Sequence, residues 1–251
     1  MQKGADSAVP DVGGNSGDEL ESKEDCGVCG SPLIYSTEET TMTCDLCGAE
    51  YSTRIYCPEG HYVCDACHSR AALESVKEIL DQTDSADPFE LLEKVMADPS
   101  IPMHGPEHHA ILPAVIVAAV QKAGYPVPEN AVEEALERGA ALPGGWCGYY
   151  GACGGGVGVG IAVSVLAEAT PLKGPERSLA TAATAYALTA VEDEGPRCCK
   201  RMLRMGLEAA VEFLDQRMGI KLVAHPPRRC RYVGRNAECI REDCRYFGAK
   251  C

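Results

Sequence analysis

The stretch from Gly144 to Gly160, GGWCGYYGACGGGVGVG, sets Cys147 and Cys153 among glycines and carries the only tryptophan, Trp146. Glycine costs about 0.5–1 kcal/mol relative to alanine inside regular structure. A run this dense therefore implies positive φ angles or close approach of the backbone to something else. From Val157 to Ala169 the chain turns apolar and helix-like, which places the glycines at a helix N-terminus. There, free N–H groups and the helix dipole favour a thiolate or an anion. Two other readings exist. A GxGxxG nucleotide loop can be aligned on Gly154 and Gly156, but no β-branched strand precedes it and no βαβ pattern surrounds it. The plainer reading is glycine for close helix packing, with the cysteines acting as small hydrophobes.

Two further segments join this one. In Pro102–His109, His104, His108 and His109 fall within six positions beside Glu107, just ahead of the apolar run Ala110–Ala123. A helix beginning at Pro106 puts His108 and His109 in its first turn, and Pro113 leaves the His109 carbonyl without its usual helical partner. In Gly195–Arg201, Cys198 and Cys199 lie among Arg197, Lys200 and Arg201. Pro196 suits the first position of a helix continuing through Leu214. A helix start flanked by cations lowers a thiol pKa, and adjacent helical residues point about 100° apart, so one cysteine serves the site and its neighbour a separate role.

Upstream, Cys26-x-x-Cys29-Gly and Cys44-x-x-Cys47-Gly flank a β-rich segment, the pattern of a zinc ribbon. Cys57, His61, Cys64 and Cys67 supply a second set of nitrogen and sulfur ligands, with His68 an alternative to His61. Whether the four pairs bind in sequence or cross-braced stays open. Cys64-Asp-Ala-Cys67-His68 also fits the haem-attachment pattern, but it sits among zinc-like ligands. One or two Zn2+ ions are expected here. The segment after His225 is basic and carries Cys230, Cys239, Cys244 and Cys251, which can hold another metal or dock an acidic partner or RNA.

Asp87 and Pro88 read as the N-cap and first residue of a helix, Ala71–Leu80 as an amphipathic helix, and Pro128–Arg138 as another, closed by Gly139. Residues 1–25 are acidic and lack apolar residues enough to fold. Fifteen cysteines and a net charge of −14 argue for metal ligation rather than disulfides and against an obligatory nucleic-acid partner. No apolar run long enough for a membrane span or signal peptide occurs, so a cytoplasmic location is expected.

The combination CPEGHYVCDACH, MHGPEHH, GGWCGYYGACGGG and GPRCCKR resembles an uncharacterised cysteine-rich family of anaerobic archaea and bacteria, from about Cys26 to Arg201. MHGPEHH, GACGGGVGVG and PRCCKR also occur in the same order as the turn, glycine-rich helix start and later cysteine of iron–sulfur L-serine dehydratases and cysteine desulfidases. Here histidines replace the serine-rich turn, and the cysteine spacing differs. That similarity implies an all-helical domain with an Fe–S cluster.

The expected chain is mostly α. It has an acidic leader (1–25), a small β-rich zinc-ribbon or treble-clef-like module (26–69), an all-helical core with a Cys/His site (70–224) and a basic Cys-rich tail (225–251). In the core, Cys147, Cys153 and Cys198 or Cys199 would hold an Fe–S cluster of the [4Fe–4S] kind, with one iron open to a small amino acid or thiol. His104 or His108 would carry the proton, and Arg197 or Arg201 would hold the substrate carboxylate. The other expectation is a non-enzymatic zinc or Fe–S adaptor that passes sulfur or metal to an accepting protein. Methyl transfer from S-adenosylmethionine lacks the Rossmann pattern it would need.

Overall fold

The computed structural model describes residue 26 and residues 28–192 and 195–248. The acidic leader and Cys251 lie outside these. The fold is mostly α, with two strands near the N-terminus: β1 (Ile34–Thr43) and β2 (Glu50–Tyr56) pair antiparallel, with Thr43 opposite Glu50 and an irregularity between Tyr35 and Thr40. The Cys44–Cys47 knuckle forms their connection, closed by Gly48 at φ 72°. The helices are α1 (Asp65–Gln82), α2 (Pro88–Ala97), α3 (Glu107–Lys122), α4 (Ala131–Ala140), α5 (Trp146–Tyr149), α6 (Gly154–Leu166), α7 (Gly174–Ala190) and α8 (Cys199–Met218).

Helix α3 is the axle of the core. Every residue from Glu107 to Val120 is buried, as a helix apolar on all sides requires, and α1, α2, α4, α6 and α8 all pack on it. Pro113 offers no N–H to the His109 carbonyl. Two glycines let neighbouring helices close in at this point. A Cβ on Gly139 of α4 would lie 2.5 Å from the His109 oxygen, and one on Gly158 of α6 would lie 3.0 Å from Pro113 Cδ. Gly139 is therefore a packing residue inside α4 rather than the terminator expected of it.

The glycine run resolves in the same way. The helix begins at Gly154, three residues before the expected Val157, and its glycines face neighbours too near to admit a side chain: Gly156 meets Leu188, and Gly160 meets Thr184. Close packing accounts for these positions. Helix α8 starts at Cys199, with Cys198 as its N-cap, so Pro196 lies outside the helix. Asp87 caps α2 as expected, its carboxylate accepting from the Phe89 N–H at 2.9 Å.

Helix α1 joins the two parts of the molecule. Cys67 sits in its first turn, while Ala72, Val76 and Leu80 enter the core, so the helix runs across position 70 without a break. Among the described residues after α8 the chain makes only a short 3-10 turn, Arg241–Asp243, yet Tyr232 is 2% exposed within the main apolar cluster and Tyr246 is buried against Met205 and Val191. The basic segment thus lies against the core. Its arginines meet acids of the same chain, Arg231 at Glu93 and Arg245 at Glu208.

Candidate metal centres and a cysteine-lined cavity

The eight N-terminal ligands gather into two tetrads. Cys26, Cys29, Cys57 and His61 form one, and Cys44, Cys47, Cys64 and Cys67 the other, with the ligand atoms of each within 4.8 Å of one another. The first pair therefore joins the third and the second joins the fourth, which is the cross-braced order. The hairpin explains it. Antiparallel pairing returns β2 beside β1, bringing Cys57 back to the first knuckle, while the knuckle at the far end faces the start of α1.

The spacing suits a tetrahedral ion. Zinc–sulfur bonds of about 2.3 Å place sulfurs about 3.8 Å apart. Cys29 and Cys57 are 3.5 Å apart, Cys47 and Cys64 are 3.9 Å apart, and Cys57 is 3.8 Å from His61 Nδ1. Backbone N–H groups point at the sulfurs, from Val28 to Cys26, Glu59 to Cys57 and Cys64 to Cys44, at 3.3–3.4 Å. Ser31 brings the Cys29 thiol down to about 6, and the Cys64 N–H does the same for Cys44. Cys67, crowded by Cys64, is pushed up to about 12. Sulfurs this close cannot all ionise without a cation between them. His68 stands outside both tetrads and faces Glu107 at 3.5 Å.

The module rests on the helical domain through polar contacts. Asp65 accepts from the Gly144 N–H at 2.7 Å, Arg197 donates to the Tyr35 hydroxyl at 2.6 Å and lies over its ring, and Arg54 lies over the rings of Tyr149 and Tyr150. Beneath it is a cavity of about 870 Å³, lined by Cys147, Cys153 and Cys199 together with His108, His109, Arg197 and Arg201. An adjoining space of about 330 Å³ is lined by His61, Asp65, His68 and His104 and shares His109, Cys147, Cys199 and Arg197. Two segments distant in sequence, the glycine stretch with Cys147 and Cys153 and the start of α8 with Cys199, thus bring three thiols to a common space. Among the described residues these three do not approach within single-ion reach of one another, as the tetrads do.

Cys198 lines a different pocket, so the two adjacent cysteines divide between two places. Neither has the low pKa expected of a cation-flanked helix start. Burial pushes Cys199 up to about 12 and raises Cys198 as well, outweighing the nearby arginines.

The histidine segment is more structured than its sequence suggested. His108 Nδ1 lies 2.8 Å from Glu107 Oε1 and 3.1 Å from the Gly105 carbonyl. Both are acceptors, so Nδ1 carries the proton and Nε2 the lone pair. His109 Nδ1 likewise donates to the Leu142 carbonyl at 3.1 Å. Burial lowers both histidine pKa values, favouring neutral rings. Burial alone would raise Glu107, but His108 and His68 hold its carboxylate at about 2. His104 contacts Asn236 through Nε2 at 3.3 Å.

Glu107 and His109 belong to the stretch singled out from the sequence, but only His104 and His108 were given a role there. The available signal was the apolar run itself. With every position from Ala110 on destined for the core, residues one turn earlier on the same helix are carried inside with it.

Fold and site together define a cysteine-rich, mostly helical protein with two clusters able to hold metal ions. The chain belongs to the family described as a family of unknown function (DUF5714), whose model matches residues 76–247. No curated protein and no solved structure matches it. The matched region excludes the eight tetrad residues and includes Cys147, Cys153, Cys198, Cys199, Cys230, Cys239 and Cys244. Among the described residues no helix is long and apolar enough to cross a membrane.

Proposed function

We propose that the chain is a metalloprotein in which two zinc ions brace the N-terminal module, and that the cavity beneath works on a small anionic thiol or amino acid. The observation that carries this reading is the convergence of Cys147, Cys153 and Cys199 on one space with arginines and two Nδ1-anchored histidines. An Fe–S cluster is the centre we assign to the three thiols, because a cluster spans separations that a single ion does not. With three protein thiolates, one iron would remain available to a substrate thiol or carboxylate.

The chain's own residues supply the rest. Arg197 and Arg201 offer guanidinium groups to a carboxylate. His109 holds a lone pair on Nε2 and borders both spaces, which makes it a better proton carrier than His104, whose ring faces Asn236. The glycine at 154 makes room for the His109 ring, since a Cβ there would lie 2.0 Å from Cδ2. Elimination or sulfur transfer on a small substrate is the corresponding chemistry, and the similarity to L-serine dehydratases and cysteine desulfidases supports it by analogy alone.

The second reading is an adaptor that docks an accepting protein through the module. The half-exposed Val28 and the exposed Leu46, one in each knuckle, favour it. Replacing Cys147, Cys153 or Cys199 by serine in the full chain, purified without oxygen, separates the two. Under the first reading each variant loses iron and sulfide, while His109→Ala retains them and loses turnover. Unchanged iron and sulfide in all three cysteine variants contradicts it.

A further inference from the structure

The pocket that takes Cys198 is not part of the cavity. Cys198, Cys230, Cys239 and Cys244 all line it, within a wall of Met103, Tyr232, Tyr246 and Phe247. Three of these thiols come from a segment with almost no regular structure, and the fourth is the N-cap of α8. The segment folds back so that the Cys230 N–H donates to the Tyr246 carbonyl at 2.6 Å, while a turn from Tyr232 to Asn236 leads on to Cys239. We propose that these four cysteines bind a [4Fe–4S] cluster, separate from the zinc tetrads and from the thiols of the cavity.

Three independent features support the assignment. The first is how the backbone treats the sulfurs. The Tyr232 N–H donates to Cys230 Sγ and the Arg241 N–H to Cys239 Sγ, both at 3.4 Å and both two residues on. Cys26 and Cys57 in the zinc tetrads receive the same bond from Val28 and Glu59. Such bonds stabilise thiolates that ligate a metal.

The second feature is charge. Lys200, Arg201 and Arg204 are all buried within five residues of α8. Arg204 pairs with Glu93 at 2.6 and 2.9 Å and lies over Tyr232 and Tyr246. Among the described residues Lys200 Nζ finds no hydrogen-bond partner, and it sits 5.3 Å from the centre of the Tyr232 ring. Glu93 offsets Arg204 and Glu107 acts on Lys200, yet Arg201 and Arg204 still line the pocket beside the four cysteines. A cluster bound by four thiolates carries net negative charge and would meet that positive wall favourably.

The third feature is spacing. The zinc tetrads close to within 4.8 Å, whereas among the described residues no three of these four sulfurs do. They line one small pocket instead of meeting at a point, a placement that suits a polynuclear cluster better than a single zinc. The expected fourth ligand from the tail, Cys251, lies outside the described residues, and Cys198 fills that role. That Cys198 sits 32 residues before Cys230 explains why spacing within the tail matched no ferredoxin run.

The test uses the full chain reconstituted anaerobically with ferrous iron and sulfide. Cys230→Ser, Cys239→Ser and Cys244→Ser should each lose about four iron and about four sulfide per chain, while Cys147→Ser leaves that share in place. The two sites therefore succeed or fail separately. Because a serine variant could also lose iron by misfolding, the unmutated chain supplies a second measurement. Alkylation mapped by peptide mass should show Cys198, Cys230, Cys239 and Cys244 protected together after reconstitution and reactive before it. Iron and sulfide unchanged in the three variants, or the four thiols equally reactive before and after, would overturn the proposal. So would a third zinc held by these cysteines that excludes iron.

Discussion

At the residue scale, the molecule turns on small side chains placed against large ones. Gly154 is the sharpest case, because a methyl group there would strike the His109 ring. Gly154→Ala should cost about 1–3 kcal/mol, read as a lowered melting temperature, whereas Gly148→Ala, with nothing within 4 Å, should fall within about 0.5 kcal/mol of the parent. Equal melting temperatures for the two would remove the packing role assigned to the glycine run. A second residue-scale prediction concerns Glu93, whose partner Arg204 is almost fully buried. Glu93→Gln leaves that guanidinium without its counter-charge and should destabilise the chain by about 3 kcal/mol, measured by denaturant unfolding of the metal-free protein. No change would mean that another group neutralises Arg204.

Some of this scale was legible in advance. The Asp87 cap depends on its own backbone and the next two residues, so the local sequence contained it. The separation of Cys198 from Cys199 was legible only as a direction, since 100° between adjacent helical residues sends them apart without saying where. The pKa of either thiol depends on what covers it, and the flanking cations pointed the wrong way because burial was the larger effect.

At the element scale, the Cys and His pairs in the sequence marked the two clusters able to hold metal but not their pairing order. That order depends on the hairpin bringing β2 back beside β1, which is a tertiary fact. The module communicates with the helical domain through α1 and through Arg54, which lies over Tyr149 and Tyr150. Trp146, the only tryptophan, stacks on Tyr150 with ring centroids 4.6 Å apart. Its fluorescence should therefore report on the module. Removing zinc with a chelator should shift the Trp146 emission and abolish the β-hairpin amide signals, while most helical circular dichroism persists, because the tetrads and not an apolar core hold β1 and β2 together. Emission and hairpin signals unaffected by full zinc removal would show that the module folds without metal.

For the whole molecule, the mostly helical class followed from apolar periodicity, and the central place of α3 followed from its unbroken apolar run. The position of the basic C-terminal segment did not. Its arginines drew the eye to charge, whereas Tyr232 and Tyr246 are what set it among core side chains, and the family match continues to residue 247. Two aromatic residues in an otherwise polar stretch are a weak signal, visible only once the surface they cover is known. Ending the chain after Ala224 should accordingly lower the melting temperature of the helical core by several degrees, since it exposes the face of α8 that these tyrosines seal. A truncated chain that melted like the parent would make the segment a detachable arm.

The central claim is that this chain carries two kinds of metal centre, zinc in the cross-braced tetrads and iron with sulfide in the helical domain. Zinc, iron and acid-labile sulfide measured together on full-length protein purified without oxygen tests it most directly. The account predicts about two zinc per chain, lost on mutation of Cys29 or Cys47, with iron and sulfide in equal amounts that survive those mutations. Zinc alone, with no iron or sulfide before or after anaerobic reconstitution, would contradict it and leave the cysteines of the helical domain as packing residues.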